Sequence, residues 1–270
     1  MREHKTPAWI ALFLVALAAG LAAETTPAVT GGASLVAFNR YVFRGYRLNR
    51  DSLVLQPAMI ASVAGFSVSF WGNIDLKENA TPSFIPDRPG RKSFNETDLT
   101  VSYARNAGNF SLMGGFIYYG TKYATETQEL FVGASWNVWG KPMLMVYRDI
   151  DAFPGTYIQL SLAQSLPLAK VISLDLGASA AYFAGSADYW RTYDPSAGSY
   201  SGPRYRAFHD GMIKTGLTVT VAKNVGLQAL TQYYFPLSVA AKRTIGGFPY
   251  NINGALRDTL VFGMTLIFSY

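Results

Sequence analysis

Side chains able to do covalent or metal chemistry are scarce in this chain. It has 270 residues, no cysteine and two histidines, His4 and His209. Without cysteine there is no thiolate nucleophile, no disulfide and no cysteine-ligated metal. His209 stands in the stretch FHDGM, where the residue two positions on is Gly211, so a nucleophile would have to come from a distant segment. We therefore predict that His209 is an ordinary rim residue at the start of a strand, and we predict no catalytic residue.

Carboxylates are the remaining candidates for metal ligands. Asp149 and Asp151, in the stretch DID, are as well explained by a turn as by a calcium site. We predict no metal and no other cofactor. The formal net charge of +6 comes from Lys and Arg residues spread along the chain, without a basic block that would follow a nucleic-acid backbone, so nucleic acid is not an expected partner.

The composition indicates a surface that does not lie wholly in water. Half of the residues are apolar and 14% are aromatic, which argues against disorder. Only 15% are charged, against roughly a quarter in an average soluble domain.

The first residues have the pattern of an export signal. Arg2 and Lys5 precede the apolar run AWIALFLVALAAGLAA, and small residues at its end offer a cleavage site before Glu24. We predict a cleaved signal peptide at 1–23 and a single domain at 24–270. The alternative is a membrane-anchor helix, but the run is short for a full span and has no basic stop on its far side.

Apolar and polar residues alternate along most of the remaining chain, which is the pattern of strands with two different faces. In FSVSFWGNIDL, Phe66, Val68 and Phe70 share one face, and Ser67 and Ser69 share the other. The alternation recurs in DLTVSYAR, QELFVGASWNV, YIQLSLAQSL, ISLDLGASAAY, MIKTGLTVTV and VGLQALTQYYF. Counting such segments predicts about twelve strands.

The connections between these strands alternate between short and long. The short ones carry the Gly, Asn and Pro of tight turns: VAGF, RNAGN, VWGKP, PLAK and AKN. The others are mostly longer: about 44–52, 78–95, 120–127, 149–155, 184–210 and 236–256. Antiparallel strands joined in this way have all short turns and both termini at one end. An even number of roughly ten-residue strands predicts an all-β transmembrane antiparallel up-and-down barrel with short periplasmic turns and longer extracellular loops.

Aromatic residues on the apolar face form two bands, as expected for the girdles of a membrane barrel. Near the long loops these are Tyr41, Phe43, Tyr118, Tyr147, Tyr182, Tyr233 and Phe235. Near the short turns they are Phe66, Tyr103, Phe110, Trp136, Phe268 and Tyr270. A soluble β-sandwich or lipocalin-like barrel also alternates, but the opposite face here has too few large residues for a dense core.

The chain ends on an alternating strand, VFGMTLIFSY. It resembles bacterial outer-membrane barrels, in which the last strand commonly ends on an aromatic residue and serves as an assembly signal. Phe268 and Tyr270 occupy the aromatic positions, and Gly263 lies two residues before the place where the strictest pattern has glycine and this chain has Thr265. The resemblance implies that Gly263, Phe268 and Tyr270 are read by the barrel-assembly machinery.

A narrower resemblance covers about 45 residues at the start of the predicted domain. The stretch FNRYVFRGYRLNRDSLVLQPAMIAS, followed by FSVSFWGNIDL, resembles the proteobacterial outer-membrane family called Gcw_chp (conserved hypothetical, porin-like). This implies location and fold more than activity.

The inward face carries charged residues of both signs, in nearly equal number on this reading of the pattern. They are Arg40, Arg44, Asp75, Lys77, Asp98, Glu129, Arg148, Asp175 and Lys214. Either they pair into a network that plugs the interior, or they line a water-filled pore. About half of the wall presents Gly, Ala, Ser and Thr, and twelve strands lie between a filled eight-stranded barrel and a wide sixteen-stranded channel, so we favour a narrow pore.

Three functions follow as hypotheses. The first is a passive porin-like channel for small hydrophilic solutes, the second a membrane-embedded lipid hydrolase, and the third a non-conducting structural or surface-binding barrel. The expected partners are outer-membrane lipids, lipopolysaccharide and small solutes. The aromatic and basic 184–210 loop could narrow the pore, stack on sugars or meet lipopolysaccharide.

Overall fold

The structure, a computed structural model, describes residues 28–49, 51–79, 88–122, 125–194, 196–243 and 256–270. The predicted signal peptide lies outside the described residues.

The described residues form sixteen strands and one short α-helix. In chain order the strands are β1 (Thr30–Phe38), β2 (Val42–Phe43), β3 (Tyr46–Arg47), β4 (Val54–Val63), β5 (Phe66–Asp75), β6 (Ser93–Ala107), β7 (Phe110–Thr121), β8 (Thr127–Trp136), β9 (Met143–Asp149), β10 (Gly155–Ala169), β11 (Ile172–Gly185), β12 (Thr192–Asp194), β13 (Ser199–Ser201), β14 (Arg206–Ala222), β15 (Val225–Pro236) and β16 (Thr259–Ser269). The helix α1 spans Val239–Arg243. Among the described residues no helix is long and apolar enough to cross a membrane.

Twelve of the strands close into one antiparallel barrel. Going round it, the order is β1, β16, β15, β14, β11, β10, β9, β8, β7, β6, β5, β4 and back to β1. The ends of the chain seal it: Gly32 pairs with Ser269 and Phe38 with Gly263, and Gly31 and Tyr270 exchange two backbone hydrogen bonds of 3.2 and 3.1 Å. The predicted twelve-stranded up-and-down barrel is confirmed. β2 with β3 and β12 with β13 form two separate hairpins.

The outer face of the barrel is apolar along nearly every strand. Large side chains that stand on it are at least 43% exposed: Leu35, Met59, Val68, Leu99, Val101, Leu112, Val132, Leu144, Leu160, Leu162, Ile213, Leu217, Leu260, Phe262 and Met264. Their neighbours in sequence point inward, and many of these are small or polar. The oily face is therefore on the outside, which is the reverse of a soluble barrel.

The predicted aromatic bands are present only in part. At the short-turn end Phe66 packs on Tyr103 and Phe110 stacks on Trp136. At the long-loop end the outward ring pairs are Tyr182 with Phe208 and Tyr233 with Phe235.

Three residues assigned to the outer band lie inside the barrel instead. Tyr41 and Phe43 follow the end of β1 and belong to a segment that turns inward. Tyr147 contacts the inward-facing rings of Phe131 and Tyr157. The stretch MLMVYRD in β9 has large residues on both faces, so alternation alone does not decide which face is inward.

Two β-bulges turn extra polar side chains into the barrel. Ala180 pairs with Gly211 and Tyr182 with Phe208, so both His209 and Asp210 lie opposite Ala181. A bulge places two residues against one on the partner strand, and both of these side chains are buried. Between β5 and β6 the register shifts in the same way, which leaves Asn95 as the extra residue.

Closure by the last strand predicts a defect on truncation. We expect deletion of Phe268–Tyr270 to lower the amount of folded barrel in the outer membrane, since Phe268 pairs with both Ala33 and Val225. The measurement is the fraction of protein in the heat-modifiable, fast-migrating form. Ser269→Ala, which keeps both aromatic residues, is the matched control. Normal assembly of the truncated chain would contradict the assembly-signal prediction.

Candidate functional site in the barrel lumen

The segment between β1 and β4 folds into the lumen rather than away from the barrel. Its centre is the β2–β3 hairpin, closed by Arg44 with φ 48° and Gly45 with φ 78°. Two consecutive residues with positive φ give the tight turn favoured by two-residue hairpins, and arginine adopts this conformation only at some cost. A Cβ at position 45 would lie 2.2 Å from Leu256 Cδ1 and 2.7 Å from Asp210 Cβ, so the hairpin tip needs glycine to pack against the wall.

A bidentate ion pair fastens this hairpin to the wall. The Arg44 Nη1 and Nη2 atoms donate to the two Glu129 carboxylate oxygens at 2.7 Å each, and the Tyr119 hydroxyl donates to Glu129 Oε2 at 2.9 Å. The pair is largely buried, with the side chains of Arg44 and Glu129 13% and 5% exposed. Burial alone would lower the pKa of Arg44, but the adjacent Glu129 carboxylate reverses this, so the pKa is raised and the guanidinium stays charged.

Aromatic rings surround the same guanidinium. The Arg44 Cζ atom lies 4.5 Å from the Tyr157 ring centroid, and 4.8 Å from those of Tyr147 and Phe43. Cation–π attraction to desolvated rings adds to the ion pair. Tyr157 in turn donates its hydroxyl hydrogen to Asp210 Oδ1 at 3.0 Å.

His209 lies inside an aromatic cluster behind the hairpin. Its side chain is fully buried, with Nδ1 2.7 Å from the Tyr205 hydroxyl oxygen and the ring 5.0 Å from the Tyr46 centroid. Within the part of the chain that the structure describes, no hydrogen bond joins it to a serine. The sequence predicted a rim position for this residue, whereas the bulge brings it inward.

The segment after β11 folds over the barrel mouth. The Trp190 ring is buried 4.2 Å from the Phe183 ring centroid, and its Nε1 donates to the Phe153 carbonyl oxygen at 3.2 Å. A Cβ at Gly185 would lie 2.3 Å from Trp190 Cβ, so glycine makes room for the tryptophan. Of the three roles considered for the 184–210 loop, narrowing of the mouth is the one that this packing supports.

A ladder of amides lines the opposite wall. Gln56 donates to Asn73 at 3.1 Å, Asn73 donates to Asn95 at 2.8 Å, and Asn95 donates to Glu78 at 3.1 Å. Fully hydrogen-bonded buried chains of this kind hold their members rigidly.

The nine charged residues proposed for the lumen fall into four groups, one of which is Lys77, an exposed residue that follows the end of β5. Asp75, Asp98, Glu129, Asp175 and Lys214 stand on inward positions of the wall strands. Arg40 and Arg44 enter the lumen from the inserted segment rather than from a strand.

Arg148 is the exception among these residues, and its assignment to the lumen was wrong. It is exposed, pairs across the sheet with Leu130 and donates to Thr156 Oγ1 at 3.2 Å on the outer face. The reason is the ambiguous register of β9 that also misplaced Tyr147.

Pattern reading overlooked three inward carboxylates, Glu96, Asp149 and Asp210. Asp149 accepts hydrogen bonds from Thr127 Oγ1 at 2.7 Å and from the backbone N–H groups of Asp151 and Phe153. The DID stretch is therefore a capped turn at the end of β9, and Asp149 faces inward from it. Among the described residues no group of three or more His, Asp or Glu side chains is placed to hold a metal.

Two cavities in the lumen share part of their lining, and on β5 and β6 the second is lined by residues further from the long-loop end. The outer one, of about 140 Å³, is at the long-loop end and is lined by residues that include Arg44, Glu129, Trp190 and His209. The deeper one, of about 290 Å³, is lined by residues that include Trp71, Asp98, Gln232 and Tyr234. Both cavities are lined by Tyr41 and Phe43, so these two side chains form a constriction between them.

Comparisons with known proteins give structural likeness alone. No family model matches the chain, and no curated protein matches it. The resemblance to Gcw_chp therefore stays a prediction.

The solved structures similar to this chain include three outer-membrane proteins. An outer membrane channel from Pseudomonas putida F1 is 9% identical, with 92% of this chain and 97% of that chain covered and a TM-score of 0.48. An anion-selective porin from Comamonas acidovorans is 13% identical (92% and 100% covered, TM-score 0.34). The translocator domain of the autotransporter NalP from Neisseria meningitidis is 12% identical (97% and 94% covered, TM-score 0.38). With TM-scores below 0.5, these similarities carry no argument about activity.

The Arg44–Glu129 pair predicts how the hairpin is released. Glu129→Gln leaves a buried guanidinium without its counter-charge, and removal of one partner of a buried pair costs about 3–5 kcal/mol. We expect trypsin cleavage after Arg44 or Arg47 to become at least roughly tenfold faster in the reconstituted barrel, because the β2–β3 hairpin is no longer held against the barrel wall.

Two further variants make this experiment specific. Asp51→Asn breaks the exposed Arg40–Asp51 pair and should leave cleavage unchanged. Arg44→Met combined with Glu129→Met removes both charges and should restore protection at Arg47. Equal cleavage of the wild-type protein and Glu129→Gln would show that the ion pair does not hold the hairpin.

Proposed function

We propose that this chain is an outer-membrane barrel that passes small hydrophilic solutes through a narrow, constricted lumen. The observation that carries the proposal is the pair of lumen cavities, lined by charged as well as aromatic residues, that share Tyr41 and Phe43 inside a closed barrel with an apolar outer face. The short turns would face the periplasm and the long loops the exterior.

The apolar outer face supports a location in lipid. Exposed apolar patches on soluble monomers are usually no larger than about 300–600 Å². Here the apolar face continues around the whole barrel, and burying it in lipid recovers roughly 25 cal/mol for each Å² removed from water. Closure supports the same location, because an unpaired strand edge is not tolerated in hydrocarbon.

Basic residues at the long-loop end support lipopolysaccharide as a neighbour. Arg88, Arg91, Lys92 and Lys122 surround one surface hollow between β6 and the adjoining loops. Phosphate groups are the natural partners of such a cluster.

Small residues at the short-turn half of the lumen support passage of water and solutes. Ser161 and Ala163 face Ser179 and Gly177 across β10 and β11. Side chains this small do not fill a twelve-stranded barrel, whose interior is wider than that of an eight-stranded one.

A non-conducting binding barrel is the second candidate. The observation in its favour is the aromatic outer cavity, where the hairpin and Trp190 occupy much of the mouth. Lipid hydrolysis is not proposed, because the described contacts of His209 supply no nucleophile.

Conductance separates the two candidates. We expect the purified protein to give small stepwise currents in planar bilayers. We expect Ala163→Trp to reduce the current by at least about half, because the tryptophan narrows the lumen where the inward side chains are small. Leu162→Trp, one residue along on the lipid-facing side, is the matched control and should conduct normally. Silence in repeated reconstitutions, with barrel assembly confirmed, would favour the binding barrel.

Lipid contact has its own test. Leu160 points outward and Ser161 inward from the middle of β10. We expect Leu160→Arg to lower the free energy of unfolding in vesicles by about 2–4 kcal/mol, because an arginine at the bilayer midplane is costly. Ser161→Arg should cost much less, since water in the lumen solvates the guanidinium. Equal costs measured by denaturant titration would contradict a lipid-facing outer surface.

A further inference from the structure

We infer that the passage is selective for cations, and that Glu96 and Asp98 beside the constriction determine this selectivity. The inference rests on the proposed function, since selectivity has meaning only if solutes pass. The solutes that pass are then small inorganic cations and organic ammonium ions, in preference to anions.

The charge balance of the lumen is the first support. Around the two cavities acidic residues outnumber basic ones by five to two: Asp75, Glu96, Asp98, Glu129 and Asp149 against Arg40 and Arg44. The whole chain has the opposite sign, with a formal net charge of +6. Charge is therefore segregated, and a low-dielectric wall lined by one sign concentrates ions of the other sign.

The two arginines are already engaged. Arg44 is held by both oxygens of Glu129, and Arg40 lies 3.2 Å from Asp51 Oδ1. Neither guanidinium is therefore left to attract a passing anion.

Two of the four remaining carboxylates, Asp75 and Asp149, are satisfied by neutral donors. Asp75 accepts from the Ser52 hydroxyl and from the backbone N–H of Lys77, and Asp149 accepts from a hydroxyl and two backbone N–H groups. Neutral donors satisfy hydrogen-bonding capacity but leave the negative charge uncompensated.

In the described part of the chain, Glu96 and Asp98 are the two carboxylates beside the constriction whose negative charge has no basic partner. They stand two residues apart on the inward face of β6, and Glu96 lies beside the Tyr41 side chain. Within the described residues neither forms an ion pair, and Asp98 Oδ1 is buried without any hydrogen-bond donor. Two neighbouring carboxylates without a basic partner repel each other when both are ionised. A cation that enters between them offsets this repulsion and stabilises both charges.

The aromatic residues at the same level have the matching chemistry. The rings of Tyr41 and Trp71 lie 5.5 Å apart, and both line the deeper cavity together with Asp98. The faces of tyrosine and tryptophan rings attract cations, including alkylammonium groups, and offer nothing comparable to anions. Carboxylates and ring faces thus act on the same class of solute.

The reversal potential of the reconstituted protein under a tenfold KCl gradient tests the inference. We expect the wild-type protein to prefer K⁺ over Cl⁻, and Asp98→Asn and Glu96→Gln each to lower the permeability ratio at least about twofold. Asp188→Asn, at an exposed loop position with its own arginine partners, should leave the ratio unchanged. Folding of each variant is checked by its heat-modifiable migration. Because Asp98→Asn and Glu96→Gln are tested separately, the selectivity can still be measured if one of them fails to assemble.

The outcomes separate the two proposals. A wild-type protein that conducts but prefers chloride overturns the selectivity while leaving the channel intact. A preference for K⁺ that both lumen variants retain in full overturns the assignment to Glu96 and Asp98. Absence of any conductance overturns the channel itself, and the selectivity with it.

Discussion

The ion pair between Arg44 and Glu129 determines the shape of the lumen. It draws the β2–β3 hairpin against β8 with two bonds of 2.7 Å and thereby holds Tyr41 and Phe43 in the lumen. An arginine with positive φ is strained, whereas glycine would adopt this turn freely. The contacts of Arg44 with the barrel wall must therefore offset the strain energy of the turn. The same contact neutralises the guanidinium that would otherwise attract anions, so the width and the charge of the lumen depend on one interaction.

Barrel closure and the outer surface are consequences of a simpler constraint. A strand with an oily outer face and a polar inner face has no stable place in water as a monomer, and in lipid it must have a hydrogen-bonded neighbour on both sides. Pairing of β1 with β16 meets this requirement at the seam. The wall is therefore uniform, and the features specific to this protein come from the inserted segment and the loops at one end.

Alternation with a period of two, together with the alternating short and long connections, was enough to predict the twelve-stranded barrel and most inward positions. Alternation fails where a bulge adds a residue, as at His209 and Asp210, and where both faces carry large residues, as around Tyr147 and Arg148. Alternation also does not indicate whether a loop folds into or away from the barrel. The inward fold of YVFRGYR, which places Tyr41 and Phe43 in the lumen, could therefore not be predicted from it. The positive-φ turn at Arg44–Gly45 is a tertiary effect, fixed by contacts with Glu129, Asp210 and Leu256.

The most direct test of a cation-attracting, water-filled lumen uses the absence of native cysteine. Thr100→Cys places a thiol inside the barrel one step beyond Asp98, and Val101→Cys places one on the outer face of the same strand. In vesicles, membrane-impermeant thiol reagents should modify position 100 and spare position 101, and a cationic reagent should react faster than an anionic one of similar size. Protection of position 100 from both reagents, or faster reaction with the anionic one, would contradict this account.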